Sequence, residues 1–479
     1  MQKAAELVFI PSPGVGHLGS TVEIAKLLVD RDQRLSITVF VINFPNYDNS
    51  KITPTYTRSL DRIKFINLPN QSSDPKAFHT SLIESQKPHV KDVVTQSMSL
   101  PDSPKLAGFV LDMFCTSMID IANDFGVPSY IYFTSGASSL GLTFHSQFLN
   151  DELQKPISDL KDTDTELVVP SLAKPIHAKF LPSGVLNTEW AVYLHEHTRR
   201  YRTAKGILVN TFAELESYAV NASASSETEI PPLYPVGPIL NLDGDNYDTR
   251  KKAEIMEWLD GQPRSSVVFL CFGSMGSFGE DQVKEIACGL EQSGHRFLWS
   301  LRQSLPKDKD KFVMPSDYDN LTDVLPEGFL DRTVGIGKVI GWAPQVAVLG
   351  HKAIGGFVSH CGWNSTLESL WFGVPIATWP MYAEQQFNAF QLVRELGLAV
   401  EIKMDYRKEN SNENAAVIVT SEEIERGIRC LMEYDTDIRK RVKETSVMSR
   451  KTLMDGGSSF SSLGRFITDV MDNISETNP

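Results

Sequence analysis

The sequence predicts an α/β chain of two Rossmann-like units, each with a parallel sheet, facing one another across a cleft. Three observations carry this. At 479 residues the chain exceeds what one hydrophobic core organises, and two units of roughly 200 residues fit the size. Apolar strand-like runs alternate with amphipathic stretches such as STVEIAKLLVDRD, the pattern of right-handed βαβ units. The series then starts a second time after a Pro-, Gly- and Asp-rich stretch at 235–253, which reads as a linker.

In chain order, the first series of strands is ELVFI (6–10), ITVFVI (37–42), IKFINL (63–68), LAGFVL (106–111), PSYIYF (128–133) and GILVNTF (206–212). The second is SVVFLCF (266–272), HRFLWSL (295–301), KVIGWA (338–343), GGFVSH (355–360) and VPIATWP (374–380). The expected units are therefore 1–240 and 256–456, joined by a linker at 241–255, with a last helical segment in 457–479. Two polar stretches, 303–320 and 406–416, read as surface loops.

Composition narrows the function. The net charge of −14 argues against a nucleic-acid polymer as partner, while a helix N-terminus can still hold one small phosphate. No apolar run reaches the 18 or so residues a membrane span needs. The five cysteines, Cys115, Cys271, Cys288, Cys361 and Cys430, are odd in number and contain no C-x-x-C pair. Neither a disulfide framework nor a metal site is indicated, and a cytoplasmic location is the simplest reading.

Gly14-Val15-Gly16-His17-Leu18-Gly19 fits G-x-G-x-x-G between a strand and a helix, which alone suggests an NAD(P)-dependent oxidoreductase. Two features weaken that reading. The second strand ends near Asn43 rather than an acid that would hold an adenine ribose, and His17 stands inside the turn. His17 suits a general base near neutral pH. Asp112 follows LAGFVL at the same edge of the same sheet and can orient an imidazole. An N-cap role for Asp112 before CTSMIDIAND stands beside that reading.

Residues 342–385, WAPQVAVLGHKAIGGFVSHCGWNSTLESLWFGVPIATWPMYAEQ, hold several ligand-binding features in one run. Trp342 sits between a strand and Pro344, where an indole can stack on a base or fill a core. Gly362 permits a tight turn after GGFVSH, and a helix opening at Asn364 or Ser365 would present N–H groups to a diphosphate. Ser365-Thr366-Leu367-Glu368 also reads as a capping box. His360 has the alternative of a solvated strand-end histidine. G-x-x-x-x-G-K-[ST] is absent, which disfavours a P-loop NTPase.

With PSPGVGH at the N-terminus and the FGS turn at 272–274, this run resembles the plant UDP-sugar-dependent glycosyltransferases of the GT-B fold over nearly the whole chain. The resemblance implies His17 as base with Asp112 as its support. It implies uracil stacking on Trp342, uracil contact at Ala343 and ribose contacts at Gln345 and Glu368. His360 would meet the β-phosphate, Asn364 and Ser365 the α-phosphate, with Gly362 and Ser274 alongside. Glu384, where Asp is commoner, and Gln385 would grip the sugar with Trp363 and Thr134, a pattern that points to glucose. The resemblance also implies that the last helix packs back on the first unit.

The expected reaction is inverting transfer of glucose from UDP-glucose to a hydroxyl of a flavonoid, phenolic or terpenoid, giving a β-O-glucoside. No cofactor or metal is expected, and a monomer is the default. Gly16, Phe114, Phe133, Phe144 and His145 are the expected acceptor contacts, ordinary core packing being the alternative for each aromatic. A retaining GT-B enzyme and a UDP-sugar-binding protein without turnover remain as rivals.

Overall fold

The computed structural model describes residues 4–43, 61–69, 78–101, 103–224, 229–243, 248–304, 314–408 and 417–476. Most of the two expected surface loops, at 305–313 and 409–416, lies outside the described residues.

The first sheet is formed by β1 (Ala5–Ile10), β2 (Leu35–Val41), β3 (Ile63–Asn67), β4 (Lys105–Asp112), β5 (Ser129–Phe133), β8 (Gly206–Val209) and β9 (Leu233–Pro235). A two-stranded antiparallel pair, β6 (Glu166–Leu167) and β7 (Ile176–His177), stands apart. The order in the large sheet is β3-β2-β1-β4-β5-β8-β9, and every pairing is parallel. The second sheet runs β12 (Gly337–Ile340), β11 (Arg296–Ser300), β10 (Val267–Cys271), β13 (Ile354–Ser359), β14 (Ile376–Thr378) and β15 (Ala399–Glu401), also all parallel.

All eleven expected strands fall on observed ones. They are legible because a parallel sheet covered on both faces needs continuous apolar runs; β4, β5, β8, β10 and β13 are buried along nearly their whole length. The stretch read as a linker is only partly one. Val236 and Ile239 are buried in the first unit's core, and a helix begins at Thr249, capped by the Asp248 carboxylate.

In each sheet the strand order reverses once, between β1 and β4 and between β10 and β13. Ligands of open parallel sheets bind outside the carboxyl ends of strands at such a switch point. The chain segments leaving β1, β4, β10 and β13 are those that carry His17, Asp112, Ser274 and His360.

The final helix, Ser458–Glu476, returns to the first unit. Phe466, Ile467, Val470 and Ile474 join the core that contains β1 and β2 residues, and the Phe466 ring meets Tyr130 and Tyr234 edge-on. Asn473 donates to the Ala107 carbonyl at 3.0 Å.

Candidate active site

Gly14 adopts φ +132°, a conformation that favours glycine, and acts as N-cap of the helix Val15–Arg31. His17 thus sits in the first turn of that helix rather than in the loop before it. Its Nδ1 lies 2.7 Å from Asp112 Oδ2 and 3.2 Å from the Thr134 hydroxyl. Asp112, the last residue of β4, is almost wholly buried. Its Oδ1 accepts from the Ser12 hydroxyl at 2.5 Å and from the Phe114 N–H at 3.1 Å. Asp112 is not the N-cap of the following helical segments, which start after Cys115 and Met118; one of its oxygens braces the turn at Phe114 and the other faces the imidazole.

Burial pulls the His17 pKa down, but the Asp112 charge and hydrogen bond, with a smaller push from Glu384, leave it raised above 6.5. Burial likewise pushes the Glu384 carboxyl up, partly offset by its own backbone N–H and by His17.

A cavity of about 320 Å³ is lined by Gly16, Ser274, Trp342, Ala343, Gln345, His360, Gly362, Trp363, Asn364, Ser365 and Glu368. The structure thus gathers all the expected nucleotide-side residues in one place. Gly16, expected at the acceptor, belongs here instead: its carbonyl accepts from Asn364 Nδ2 at 3.2 Å. The chain had to be folded to show this, because the contact spans the two units.

The phosphate-side helix runs Trp363–Phe372 with Gly362 as N-cap, so it opens one or two residues earlier than expected. The capping box does not form. Glu368 instead accepts from Gln345 Nε2 at 2.7 Å, and the same amide donates to the Ser365 hydroxyl at 2.8 Å. Glu368 is therefore turned toward the cavity with Gln345, away from its own helix N-terminus.

His360 is buried rather than solvated, and burial lowers its pKa to about 4. Its Nδ1 is buried without a hydrogen-bond partner among the described residues. A Cβ on Gly273 would lie 2.6 Å from Nε2 and one on Gly362 2.5 Å, so glycine at both places makes room for the ring. A neutral imidazole with unmet hydrogen-bonding capacity is suited to meet an anion brought to it.

A second cavity, of about 770 Å³, adjoins the dyad and includes Met113, Phe114, Phe133, Leu142, Trp190, Tyr193 and Glu384 in its lining. Besides Gly16, two expected acceptor residues do not line it. Phe144 packs edge-on against Tyr201 in the core, and His145 stacks with Phe148. Both lie on the helix Ala137–Asp151, whose cavity-facing positions are Ser139, Leu142 and Thr143. Trp190 and Tyr193, from the helix Thr188–Tyr201, went unforeseen. Their one-sided spacing was the available signal.

Of the expected sugar contacts, Glu384 lines the larger cavity and Trp363 the smaller. Thr134 and Gln385 line neither. Thr134 is held beside His17, and Gln385 Oε1 braces the preceding turn by accepting from the N–H groups of Met381 and Tyr382 at 2.9 and 3.1 Å.

Two cavities lined by chain neighbours of a histidine–carboxylate pair, Gly16 in the smaller and Met113 and Phe114 in the larger, with the smaller at a helix N-terminus, match a known group of proteins. The family described as UDP-glucoronosyl and UDP-glucosyl transferase matches residues 233–427. A UDP-glucose flavonoid 3-O-glucosyltransferase of Fragaria ananassa is 57% identical over 489 residues, covering 98% of this chain and 99% of that protein. The chain belongs to the plant UDP-glycosyltransferases. Solved members of this group superpose closely. A transferase from Siraitia grosvenorii in complex with UDP gives TM-score 0.87 at 51% identity, covering 98% and 100% of the two chains. A Medicago truncatula enzyme complexed with UDP-glucose gives 0.85 at 43% identity, covering 98% of each. The fold is GT-B and the protein is a UDP-sugar-dependent transferase, which sets aside the oxidoreductase reading of its glycine-rich turn. Among the described residues no helix is long and apolar enough to cross a membrane.

Proposed function

We propose that this chain transfers glucose from UDP-glucose to a hydroxyl of a flavonoid, phenolic or terpenoid, with inversion, giving a β-O-glucoside. The observation that carries the reading is the 2.7 Å His17–Asp112 pair, whose chain neighbours Gly16 and Met113 line the smaller and the larger cavity respectively. Asp112 engages Nδ1, which leaves Nε2 to take the acceptor proton. As that proton moves, the acceptor oxygen bonds to the anomeric carbon from the face opposite UDP. The bond from that carbon to the β-phosphate oxygen breaks, and its electron pair leaves with UDP. His360, Asn364, Ser365, Ser274 and the helix N-terminus at Trp363 meet the departing charge. Trp342 and Ala343 hold uracil, and Gln345 and Glu368 the ribose. Glu384 and Trp363, which line the two cavities, hold the sugar, and Gln385 and Thr134 support them from behind by bracing the turn before Glu384 and the His17 ring.

The acceptor class is supported by the aromatic lining of the larger cavity, whose volume suits a small lipophilic molecule, and by relatives named as flavonoid 3-O-glucosyltransferases. In this reading residues 1–240 bind the acceptor, 256–456 bind the donor, and the enzyme works as a cytoplasmic monomer. The test is UDP release from UDP-glucose with a panel of flavonoids, phenols and terpenoid alcohols, with anomeric analysis of the products. β-Glucosides are expected. α-Glucosides, or tight donor binding with no product from any acceptor, overturn the proposal.

A further inference from the structure

Sequence reading gave Trp342 a ligand but no support. The structure supplies the support from Arg302 and from Asp317, the latter within the stretch 303–320 that reads as a surface loop. Asp317 Oδ1 accepts from the backbone N–H of Trp342 at 2.9 Å and lies 3.2 Å from Arg302 Nε. The Arg302 guanidinium lies over the Trp342 ring, 4.9 Å from its centroid. Arg302 is itself held: it is only 9% exposed, and it donates to the carbonyls of Ser316 at 3.2 Å and of Pro315. A Cβ on Gly341 would stand 2.2 Å from the Asp317 carboxyl, so a side chain there would displace the carboxylate. Arg302 and Trp342 both line the smaller cavity.

We propose that Arg302 and Asp317 are positioning residues for the nucleobase, fixing Trp342 in one stacking pose and so setting the affinity for the uridine nucleotide. The inference rests on Trp342 being the base platform. Asp317 fixes the backbone at the turn, and the guanidinium lies against the indole, so the ring is held in place in the wall of the smaller cavity. A partly exposed tryptophan without such support would have to be ordered by the ligand, and that ordering would be taken from the binding free energy. The planar guanidinium suits this work and an ammonium does not, because only the former lies flat on a ring while its N–H groups hold fixed acceptors.

The test is UDP affinity by calorimetry and steady-state kinetics on Arg302→Lys, Asp317→Asn and Trp342→Ala, and on each of the first two combined with Trp342→Ala. Arg302→Lys and Asp317→Asn are expected to raise the UDP Kd and the UDP-glucose KM about three- to tenfold, as the loss of one indole–guanidinium contact implies. The acceptor KM and the kcat at saturating donor should stay within about twofold. In the Trp342→Ala background both effects should vanish, since they act through the indole. Asp317 is 43% exposed, so its isosteric amide keeps the question open to measurement if Arg302→Lys does not fold. Three results overturn the proposal: unchanged UDP affinity in the folded variants, tighter binding, or a loss that persists without the indole, which would make Arg302 a direct nucleotide contact. If Trp342→Ala alone leaves UDP affinity unchanged, the stacking reading fails first and takes this inference with it.

Discussion

Trp363 donates its indole N–H to the carbonyl of Asn210 at 2.6 Å, across the boundary between the two units. The next residue, Asn364, donates to Gly16, the neighbour of His17. Gln391 adds a third link, donating to the Ser138 hydroxyl at 2.8 Å and to the buried Glu216 carboxylate at 2.9 Å. Glu216 in turn accepts from the first N–H groups of the helix that carries the Leu142 side of the acceptor cavity. The start of the phosphate-side helix is therefore latched to the half that holds the base.

Trp363→Phe keeps the ring and deletes the buried N–H donor. The expected cost is about 1–3 kcal/mol, because the Asn210 carbonyl loses its partner. Thermal unfolding measures it. The kcat should fall more than UDP affinity does, since the loss loosens the joint between the halves more than the nucleotide cavity.

Asp112→Asn should lower kcat/KM by about 10²–10⁴-fold with an ordinary phenol, and by less with a strongly acidic one that is already ionised. The sign of the pH effect follows from the raised His17 pKa. In the native protein the rate falls as pH drops through a value above 6.5, because the base becomes protonated. Without the carboxylate, burial is opposed only by the smaller push from Glu384, so the acid limb should move to lower pH. A pH–rate profile of both proteins decides this.

His360 makes a prediction about stability. Its folded pKa of about 4 lies below the ordinary 6.5, so between those values the unfolded chain binds the proton and the folded chain does not. Its contribution is complete above about pH 6.5, declines as pH falls, and is exhausted near pH 4. The loss amounts to about 3 kcal/mol. His360→Asn should flatten the pH dependence of denaturant unfolding across that window by a comparable amount.

Phe114 and Phe144 separate lining from core. Phe114→Ala should change the ranking and KM of aromatic acceptors with a modest loss of stability. Phe144→Ala should cost about 3–5 kcal/mol and leave the acceptor ranking unchanged. Melting curves beside acceptor panels for the two variants test the contrast.

The strands and the nucleotide cavity were legible because both are written locally. A strand buried on two faces is an apolar run, and much of the donor cavity comes from one segment, 342–368. What lay hidden depends on pairings distant in sequence. Glu368 was open between its own helix and the cavity until Gln345 was placed beside it. Asp317 and Arg302 carry no motif, Ser12 stands in PSPGVGH without a legible role of its own, and what the three do exists only in relation to Asp112 and Trp342. Phe144 and His145 were misjudged because proximity to a strand end does not say which face of a helix meets a cavity. The short β9 and β15 are not legible, as three-residue strands with two and one buried residues leave no periodicity to read.

The return of the helix Ser458–Glu476 to the first unit means that the polypeptide passes between the halves twice, once near residue 240 and again before residue 458. A body joined to another by a single cord can swivel in any direction; one joined at two separate points can only swing about the line through them. Two connections leave the halves fewer ways to turn against one another than a single cord would, which favours a constant bearing of His17 on the phosphate loop. Removing the last helix would cut one of the two pivots and strip a side from the acceptor half at the same stroke.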